Sequence, residues 1–171
     1  RALDAQELAA WLRLLETPEV GRESARRLLA AFGSPQAVLE ASTAARREVV
    51  AAEAAMALAA PADGFDALLE NTLAWLNGPS ETGRHIVVLG DPEYPEALLE
   101  TADPPLLLYA AGRIALLRAE SLAVVGSRNP TPQGRENAQA FARQLSESGL
   151  TIVSGLALGV DGAAHEGALE G

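Results

Sequence analysis

The residues Ser121-Leu122-Ala123-Val124-Val125-Gly126-Ser127-Arg128 decide how the second half of the chain folds. An apolar, β-branched run ends in Gly-Ser-Arg and precedes a helix-forming segment, which predicts a buried strand entering a glycine turn and a helix N-terminus. Backbone N–H groups at such a turn attract anions, phosphate above all. The planar guanidinium of Arg128 suits bidentate phosphate contact. From this segment alone, a phosphate-binding turn and a plain strand-to-helix turn with a solvated arginine are equally well supported.

A helix and a further strand follow this turn. Thr131 suits the N-cap and Pro132 the first position of a helix that extends to about Ser148. Its predicted buried residues are Ala138, Phe141, Ala142 and Leu145. The strand Leu150 to Val153 comes next, so strand, helix and strand form a βαβ unit with parallel strands and a right-handed crossover.

A second glycine turn, Ser154-Gly155-Leu156-Ala157-Leu158-Gly159-Val160-Asp161, follows that strand. Neighbouring parallel strands end at the same edge of a sheet, where open α/β sheets bind ligands, so we expect the two turns to lie side by side. Two adjacent glycine turns favour an anion pocket over plain turn chemistry. At the start of the last predicted helix, we interpret Asp161 as an N-cap and His165 as hydrogen-bonded to nearby backbone, rather than as a catalytic pair.

Composition and missing motifs argue against several other functions. The 171 residues include no Cys and no Lys, and a formal net charge of −10 argues against broad, charge-driven nucleic-acid binding. The sequence contains no Gly-x-Gly-x-x-Gly after the first strand, no Walker A lysine, no Gly-x-Ser-x-Gly elbow and no metal-ligand cluster. We therefore expect no cofactor, no metal and no catalytic residue. No apolar stretch reaches the ~20 residues of a membrane span and no signal peptide is visible, so a cytoplasmic location is the expectation.

The first half of the chain has helical periodicity throughout, from about residue 4 to residue 76. The helix from Ala5 to Glu16, for example, carries Leu8, Trp11, Leu12 and Leu15 on one face. The clearest linker signal is Asn77-Gly78-Pro79-Ser80-Glu81-Thr82-Gly83. We predict an all-α domain over 1–77, a linker over 78–84 and an α/β domain over 85–171. The α/β domain should begin with short strands from His85 to Leu89 and from Leu106 to Tyr109.

Motifs from Asp91 to Leu169 resemble one family closely, the DNA-processing protein A (DprA/Smf) proteins of bacteria. The matching motifs are Asp91-Pro92-Glu93-Tyr94-Pro95, Pro104-Pro105, Leu108-Tyr109 with Gly112, Val125-Gly126-Ser127-Arg128, Thr131 and Gly134, Ser154-Gly155-Leu156-Ala157, Gly159, Asp161, Ala164-His165 and Ala168-Leu169. They occur in order at compatible spacing, and jointly they are highly specific. The part up to about Asn77 is similar to the small helical domain that often precedes this family's core.

This resemblance implies an incomplete extended Rossmann-like parallel sheet that binds single-stranded DNA. It also implies delivery of that DNA to the RecA recombinase in natural transformation, dimerisation through the Rossmann-like domain, and no established enzymatic activity. The residues implied to bind a DNA phosphate are Gly126, Ser127 and Arg128 on one side and Ser154, Gly155 and Leu156 on the other. The residues implied to organise the pocket are Thr131, Gly159, Asp161 and His165.

Some features depart from the family pattern. Leu158 stands where many relatives carry a basic residue, which removes one expected phosphate contact. Relatives also continue beyond the position of Gly171 with further strands and helices, so we expect part of the sheet to lie outside this sequence. In the first half, Pro18-Glu19-Val20-Gly21 resembles the hairpin of a helix-hairpin-helix, but Glu19 replaces its first glycine. Residues 1 to 83 hold seven Arg against twelve acidic residues, which favours a sterile-alpha-motif-like protein-interaction module over a second DNA clamp.

Two other functions remain as alternatives. Nucleoside-monophosphate phosphoribohydrolases of the cytokinin-activating (LOG) type share a related Rossmann-like fold and a Gly-Ser turn after the first strand. They rely on a Pro-Gly-Gly-x-Gly-Thr segment and a later glutamate, whereas Tyr94-Pro95 and Pro104-Pro105 favour the DNA binder. In the third hypothesis, the acidic helical domain works alone as an adaptor.

Overall fold

The computed structural model describes residues 3–171, which form two compact units divided between Ile114 and Ala115. In the first unit the described residues form α1 (Ala5–Glu16), α2 (Arg22–Phe32), α3 (Pro35–Glu40), α4 (Thr43–Arg47), α5 (Ala52–Ala57), α6 (Phe65–Asn77), β1 (Arg84–Val88), a short 3-10 helix (Glu96–Glu100) and β2 (Leu107–Ala111). A 3-10 helix, Ile114–Arg118, leads into the second unit, which contains β3 (Ser121–Ala123), α7 (Pro132–Glu147), β4 (Thr151–Val153) and α8 (Val160–Glu170). Within residues 3–171, no helix combines the length and the apolar character needed to cross a membrane.

Polar N-caps begin several helices. Asp4 Oδ1 accepts the Glu7 N–H at 2.7 Å, and the hydroxyls of Ser34 and Ser42 cap α3 and α4 in the same way. Thr131 Oγ1 accepts the Gly134 N–H at 3.1 Å, with proline at the first position of α7, so the predicted start of that helix is confirmed. Each cap satisfies an N–H group that the helix itself leaves unpaired.

The core of the first unit joins the helices to the first pair of strands. The predicted face of α1 is confirmed, because Leu8, Trp11 and Leu12 are buried and Leu15 packs against the same cluster. Other members of this cluster are Leu14, Leu28, Val38, Leu58, Ile86, Val88 and Leu106. This shared core extends the compact unit to Ile114, past the predicted linker at 78–84. A compact unit need not coincide with a domain that folds alone, so the limits 1–77 and 85–171 remain a prediction.

The two pairs of strands differ in direction. Strands β1 and β2 are antiparallel, with Ile86 opposite Tyr109, because the chain between them turns back without a crossover helix. Strands β3 and β4 are parallel, with Leu122 opposite Ile152, and α7 connects them as the βαβ prediction requires. The predicted fold class is therefore confirmed as a helical N-terminal part followed by a small α/β region. The predicted single parallel sheet is not seen within residues 3–171, because β1 and β2 form an antiparallel sheet and β3 and β4 form a separate parallel one.

The motif residues Asp91, Tyr94 and Pro105 shape the connection between β1 and β2. Asp91 Oδ2 accepts the Val88 N–H at 3.1 Å, and the buried Tyr94 donates its hydroxyl to the Pro105 carbonyl at 2.6 Å. Burial raises the pKa of the Tyr94 phenol, and the charge of Arg26 offsets part of this effect. The motifs Asp91-Pro92-Glu93-Tyr94-Pro95 and Pro104-Pro105 therefore have a structural role in the first unit.

Asp103 ties the same connection to α2. Its two carboxylate oxygens form ion pairs with Arg22 and Arg26 at 2.7 Å each, and Arg26 also donates a hydrogen bond to the Pro104 carbonyl at 3.1 Å. At the turn between α1 and α2, Glu19 has a φ of 69°, in the left-handed region that favours glycine. Two of the three α2 guanidinium groups, those of Arg22 and Arg26, are thus engaged within the first unit.

Small residues allow α7 and α8 to pack closely. The alanines Ala138, Ala142, Ala163 and Ala164 are buried. A Cβ atom on Gly167 would collide with the Gln139 carbonyl, so the two helices meet at backbone distance. At the edges of this contact, Arg135 pairs with Glu166 at 2.9 Å.

Two burial predictions are wrong. Phe141 is 66% exposed, because α8 packs on the side of α7 that carries Gln139, and Phe141 lies about 200° further round the helix. Strand β3 was expected to be buried, but its three residues are exposed. A two-stranded sheet has two faces, and the helices of this unit cover only part of them.

Candidate nucleic-acid interface

The two glycine turns lie side by side where β3 and β4 end. Ala123 is paired with Val153, and beyond the strand the Val124 N–H donates to the Val153 carbonyl at 3.0 Å. Ser154 Oγ donates back across the pair to the Val124 carbonyl at 2.7 Å. The chain therefore enters both turns at the same edge of the sheet, which confirms the placement expected from parallel strands.

Asp161 connects the two turns. Its carboxylate accepts the Gly126 N–H through Oδ1 at 3.3 Å and the Ala157 N–H through Oδ2 at 3.4 Å. Only 7% of this residue is exposed, so the two N–H donors compensate for a buried negative charge. Its position in the first turn of α8 is also favourable for the helix dipole.

The prediction that Asp161 is the N-cap of α8 is wrong. The N-cap is Gly159, with a φ of 85°. A Cβ atom there would collide with the Ser127 carbonyl oxygen, which accepts the Val160 N–H at 3.0 Å. Glycine is required at this position by both the backbone conformation and the contact, and Asp161 is left free to face the turns.

Gly126 allows the first turn to approach the start of α8. A Cβ atom on Gly126 would lie 2.9 Å from Val160 Cβ, closer than real Cβ atoms approach. On the second turn, a Cβ atom on Gly155 would lie 3.0 Å from Asp161 Oδ2. The glycines of both turns therefore permit a compact arrangement around Asp161.

Ser127 and Arg128 are the exposed polar side chains of the first turn. Ser127 Oγ accepts the Asn129 N–H at 3.1 Å, which leaves the hydroxyl hydrogen of Ser127 available for donation. Arg128 forms no hydrogen bond or ion pair with residues 3–171, whereas Arg143 on α7 pairs with Glu147 at 2.9 Å. The first turn thus presents an available guanidinium and an available hydroxyl.

The second turn presents backbone and apolar groups. The hydroxyl hydrogen of Ser154 is used on the Val124 carbonyl, so this side chain cannot donate to a phosphate at the same time. Leu156 has a φ of 57°, a conformation that is uncommon for a non-glycine residue, and both Leu156 and Leu158 are exposed. Anion contacts from this side of the site would have to come from N–H groups.

Thr131 lies at the start of α7 and His165 lies in α8. The Thr131 hydroxyl is used in the α7 cap. His165 is half-buried, and its Nε2 is buried without a hydrogen-bond partner among the described residues, so this nitrogen does not make the predicted backbone contact. In residues 3–171, no three His, Asp or Glu side chains are grouped in a way that could hold a metal ion.

A protein-family model described as DNA recombination-mediator protein A matches residues 85–171, which is half of the chain. The chain belongs to this family. A second model, described as a DprA-like N-terminal HHH domain, matches residues 5–61. The resemblance to DprA/Smf proteins drawn from the motifs is confirmed, and the N-terminal part is a helix-hairpin-helix domain.

Similar proteins carry the same family names. Protein Smf of Escherichia coli (strain K12) is 39% identical over 102 residues, which cover 60% of this chain and 26% of that protein. DNA processing protein DprA of Bacillus subtilis (strain 168) is 34% identical over 91 residues, covering 53% of this chain and 31% of that protein. The X-ray structure of DNA processing protein A from Streptococcus pneumoniae superposes with a TM-score of 0.68 at 25% identity. That match covers 99% of this chain and 55% of the other, so this DprA/Smf chain spans about half of the solved structure.

Proposed function

We propose that this chain binds single-stranded DNA by holding a backbone phosphate at the Gly126 turn. The observation that carries the proposal is the arrangement around Asp161, which ties the two glycine turns together beside the unpaired Arg128. In this role, Gly126, Ser127 and Arg128 contact the phosphate. Gly155 and Leu156 contribute backbone groups from the other side, and Ser154 positions its turn through Val124.

The electrostatics support a small site rather than a broad one. The chain carries a formal net charge of −10, so most of its surface repels DNA. Arg128 lies in the turn with its charge uncompensated, whereas Arg135 and Arg143 of the same unit are paired with glutamates. A phosphate should therefore be bound locally, through few contacts.

We further propose that the helical domain is a protein-interaction module and not a second DNA clamp. Arg22 and Arg26 on α2 are both held by Asp103, and Glu19 places a carboxylate at the hairpin where a phosphate would approach. The acidic balance of residues 1 to 83 supports the same assignment.

Family membership supports a proposal for the biological role. We propose that the protein protects incoming DNA during natural transformation in the cytoplasm, loads RecA onto it, and forms a homodimer through the Rossmann-like domain. It acts by binding and without catalysis. Release of adenine from adenosine monophosphate by the purified chain would contradict this and would favour the phosphoribohydrolase alternative.

The Arg128→Ala variant tests the proposed function. A charge-assisted phosphate contact contributes about 1.5–3 kcal/mol, so the affinity for a labelled single-stranded oligonucleotide should fall by more than about tenfold. Fluorescence anisotropy measures this directly. Arg143→Ala is the matched control, since it removes an equal charge from the same unit at a residue already paired with Glu147. Equal loss of affinity in both variants, or none in Arg128→Ala, would refute the assignment.

A further inference from the structure

We propose that Tyr109 provides a stacking surface for a nucleobase of single-stranded DNA, on the first compact unit. This inference rests on the proposed function, because it concerns the same ligand, single-stranded DNA. The Leu108-Tyr109 motif is not needed for the phosphate site. Its tyrosine is nevertheless held in a defined position and left half-exposed, and these two observations need a common explanation.

Tyr109 belongs to a row of three side chains in contact, Tyr109, Trp75 and Arg84. The rings of Trp75 and Tyr109 lie 5.4 Å apart between centroids at 75°, an edge-to-face contact. On Trp75, the Arg84 guanidinium carbon lies 5.4 Å from the ring centroid, and Arg84 Nη1 donates to the Trp75 carbonyl at 2.7 Å. The cation thus reinforces the aromatic pair from one side.

The tyrosine ring is fixed before any ligand arrives. Its position in β2, opposite Ile86, sets the direction of the side chain, and its hydroxyl lies 3.5 Å from Thr72 Oγ1 on α6. Even so, 51% of Tyr109 remains exposed. A ring that is already immobilised loses little conformational entropy when a flat ligand stacks on it.

The two strands that form the sheet around Tyr109 differ in charge from the chain as a whole. Strands β1 and β2 contain Arg84 and His85 but no acidic residue. The exposed Arg113, which has no hydrogen bond or ion pair within residues 3–171, follows β2. In the connection 89–106, Asp91 and Glu93 line a cavity beside Arg84 and His85, and Tyr109 is not among the residues that line this cavity. On α6, Glu70 is about 200° round the helix from Thr72 and so points away from the tyrosine.

A nucleobase is the ligand that fits this combination. Single-strand binding proteins combine aromatic rings, on which bases stack, with arginines that attract the backbone, and every base offers a π face. Tyr109 is a fixed, half-exposed ring, and Arg84 packs on Trp75, its aromatic partner. The two strands contain no acidic residue, and the exposed Arg113 follows β2. We therefore assign Tyr109 to base stacking and Arg113 to attraction of the adjacent phosphate.

Single substitutions of Tyr109 in the full chain test the inference. Tyr109→Ala removes the ring and should weaken binding to a labelled oligothymidylate by about fivefold or more, as expected for the loss of one stacked base. Tyr109→Phe keeps the ring and removes only the hydroxyl near Thr72, so its affinity should stay within about twofold of the wild type. Replacing thymidines by abasic residues should weaken the wild type but leave Tyr109→Ala unchanged.

A second measurement does not depend on the stability of the variants. Irradiation of the wild-type chain with an oligonucleotide that contains 5-iodouracil should give an adduct that mass spectrometry places on Tyr109. Adducts exclusively at other residues, or an abasic effect of equal size in wild type and Tyr109→Ala, would overturn the stacking site. The phosphate site would stand in that case if Arg128→Ala still lost affinity, so failure of the two proposals can be told apart.

Discussion

Asp161 is the residue that connects the two glycine turns, through the N–H groups of Gly126 and Ala157. Its place in the site could be predicted, because it follows the second glycine turn and matches the family motif. Its role could not, because an N-cap is inferred from neighbouring residues, whereas its partner Gly126 is 35 residues away. The Ser154 bond to Val124 was missed for the same reason: it depends on the pairing of two strands. The sequence did contain a local sign that Asp161 is not the N-cap of α8, because Gly159, two residues earlier, is itself a suitable N-cap.

The Asp161→Asn variant should lower both stability and DNA affinity. The asparagine side chain has one oxygen, which can accept only one of the two N–H groups of Gly126 and Ala157. Its NH2 group is a donor and would face the other N–H group, which would then have no acceptor. We expect the free energy of unfolding to fall by about 1–3 kcal/mol, the cost of leaving a buried group unsatisfied. Urea denaturation measures this, with Glu166→Gln as the control, because it removes a charge from an exposed pair on the same helix. Wild-type stability in Asp161→Asn would mean that the two turns are not held by this carboxylate.

Tyr94 gives a prediction on pH. Its folded-state pKa is raised by burial, so the neutral phenol contributes stability that is fully present below the ordinary pKa of 10.0 and is lost as the pH rises through the raised value. Tyr94→Phe removes the bond to the Pro105 carbonyl and should cost about 1 kcal/mol at neutral pH. The same variant should lose less stability than the wild type when unfolding is repeated above about pH 10. An identical loss in both proteins would show that Tyr94 does not titrate with folding.

Among the helices and strands, those defined by local signals were predicted well. The helix α1 and the start of α7 follow from capping residues and apolar spacing, which lie within a few residues of each other. The direction of β2 and the exposure of Phe141 depend instead on which element packs on which. The apolar spacing of α7 suggested one buried face, whereas the alanines and Gly167 set the actual contact with α8.

Two glycines of α8 give opposite predictions for the same substitution. Glycine to alanine in a helix ordinarily stabilises by about 0.5–1 kcal/mol. Gly162→Ala should do so, since its Cβ would lie 3.5 Å from the Ala157 carbonyl, an ordinary contact. Gly167→Ala should destabilise by about 1–3 kcal/mol, because its Cβ would collide with the Gln139 carbonyl on α7. Thermal unfolding of both variants provides the comparison, and stabilisation by Gly167→Ala would contradict the close packing of these helices.

For the molecule as a whole, family membership came from motifs and the site geometry came from the structure. Composition alone pointed away from DNA, since the net charge is −10. The ordered motifs from Asp91 to Leu169 indicated the family despite this acidic composition. The family model that matches residues 85–171 confirms that resemblance. The compact division at Ile114 was not predictable, because it arises from the packing of β1 and β2 on the helices rather than from the linker.

The salt dependence of binding tests the phosphate contact of Arg128 most directly. For single strands, the slope of log affinity against log salt concentration is about −0.7 for each phosphate contact. The wild type should show a shallow slope that reflects few contacts. The slope for Arg128→Ala should be smaller by about 0.7, the value for one contact. Equal slopes for wild type and variant would contradict the account, because they would mean that Arg128 neutralises no phosphate.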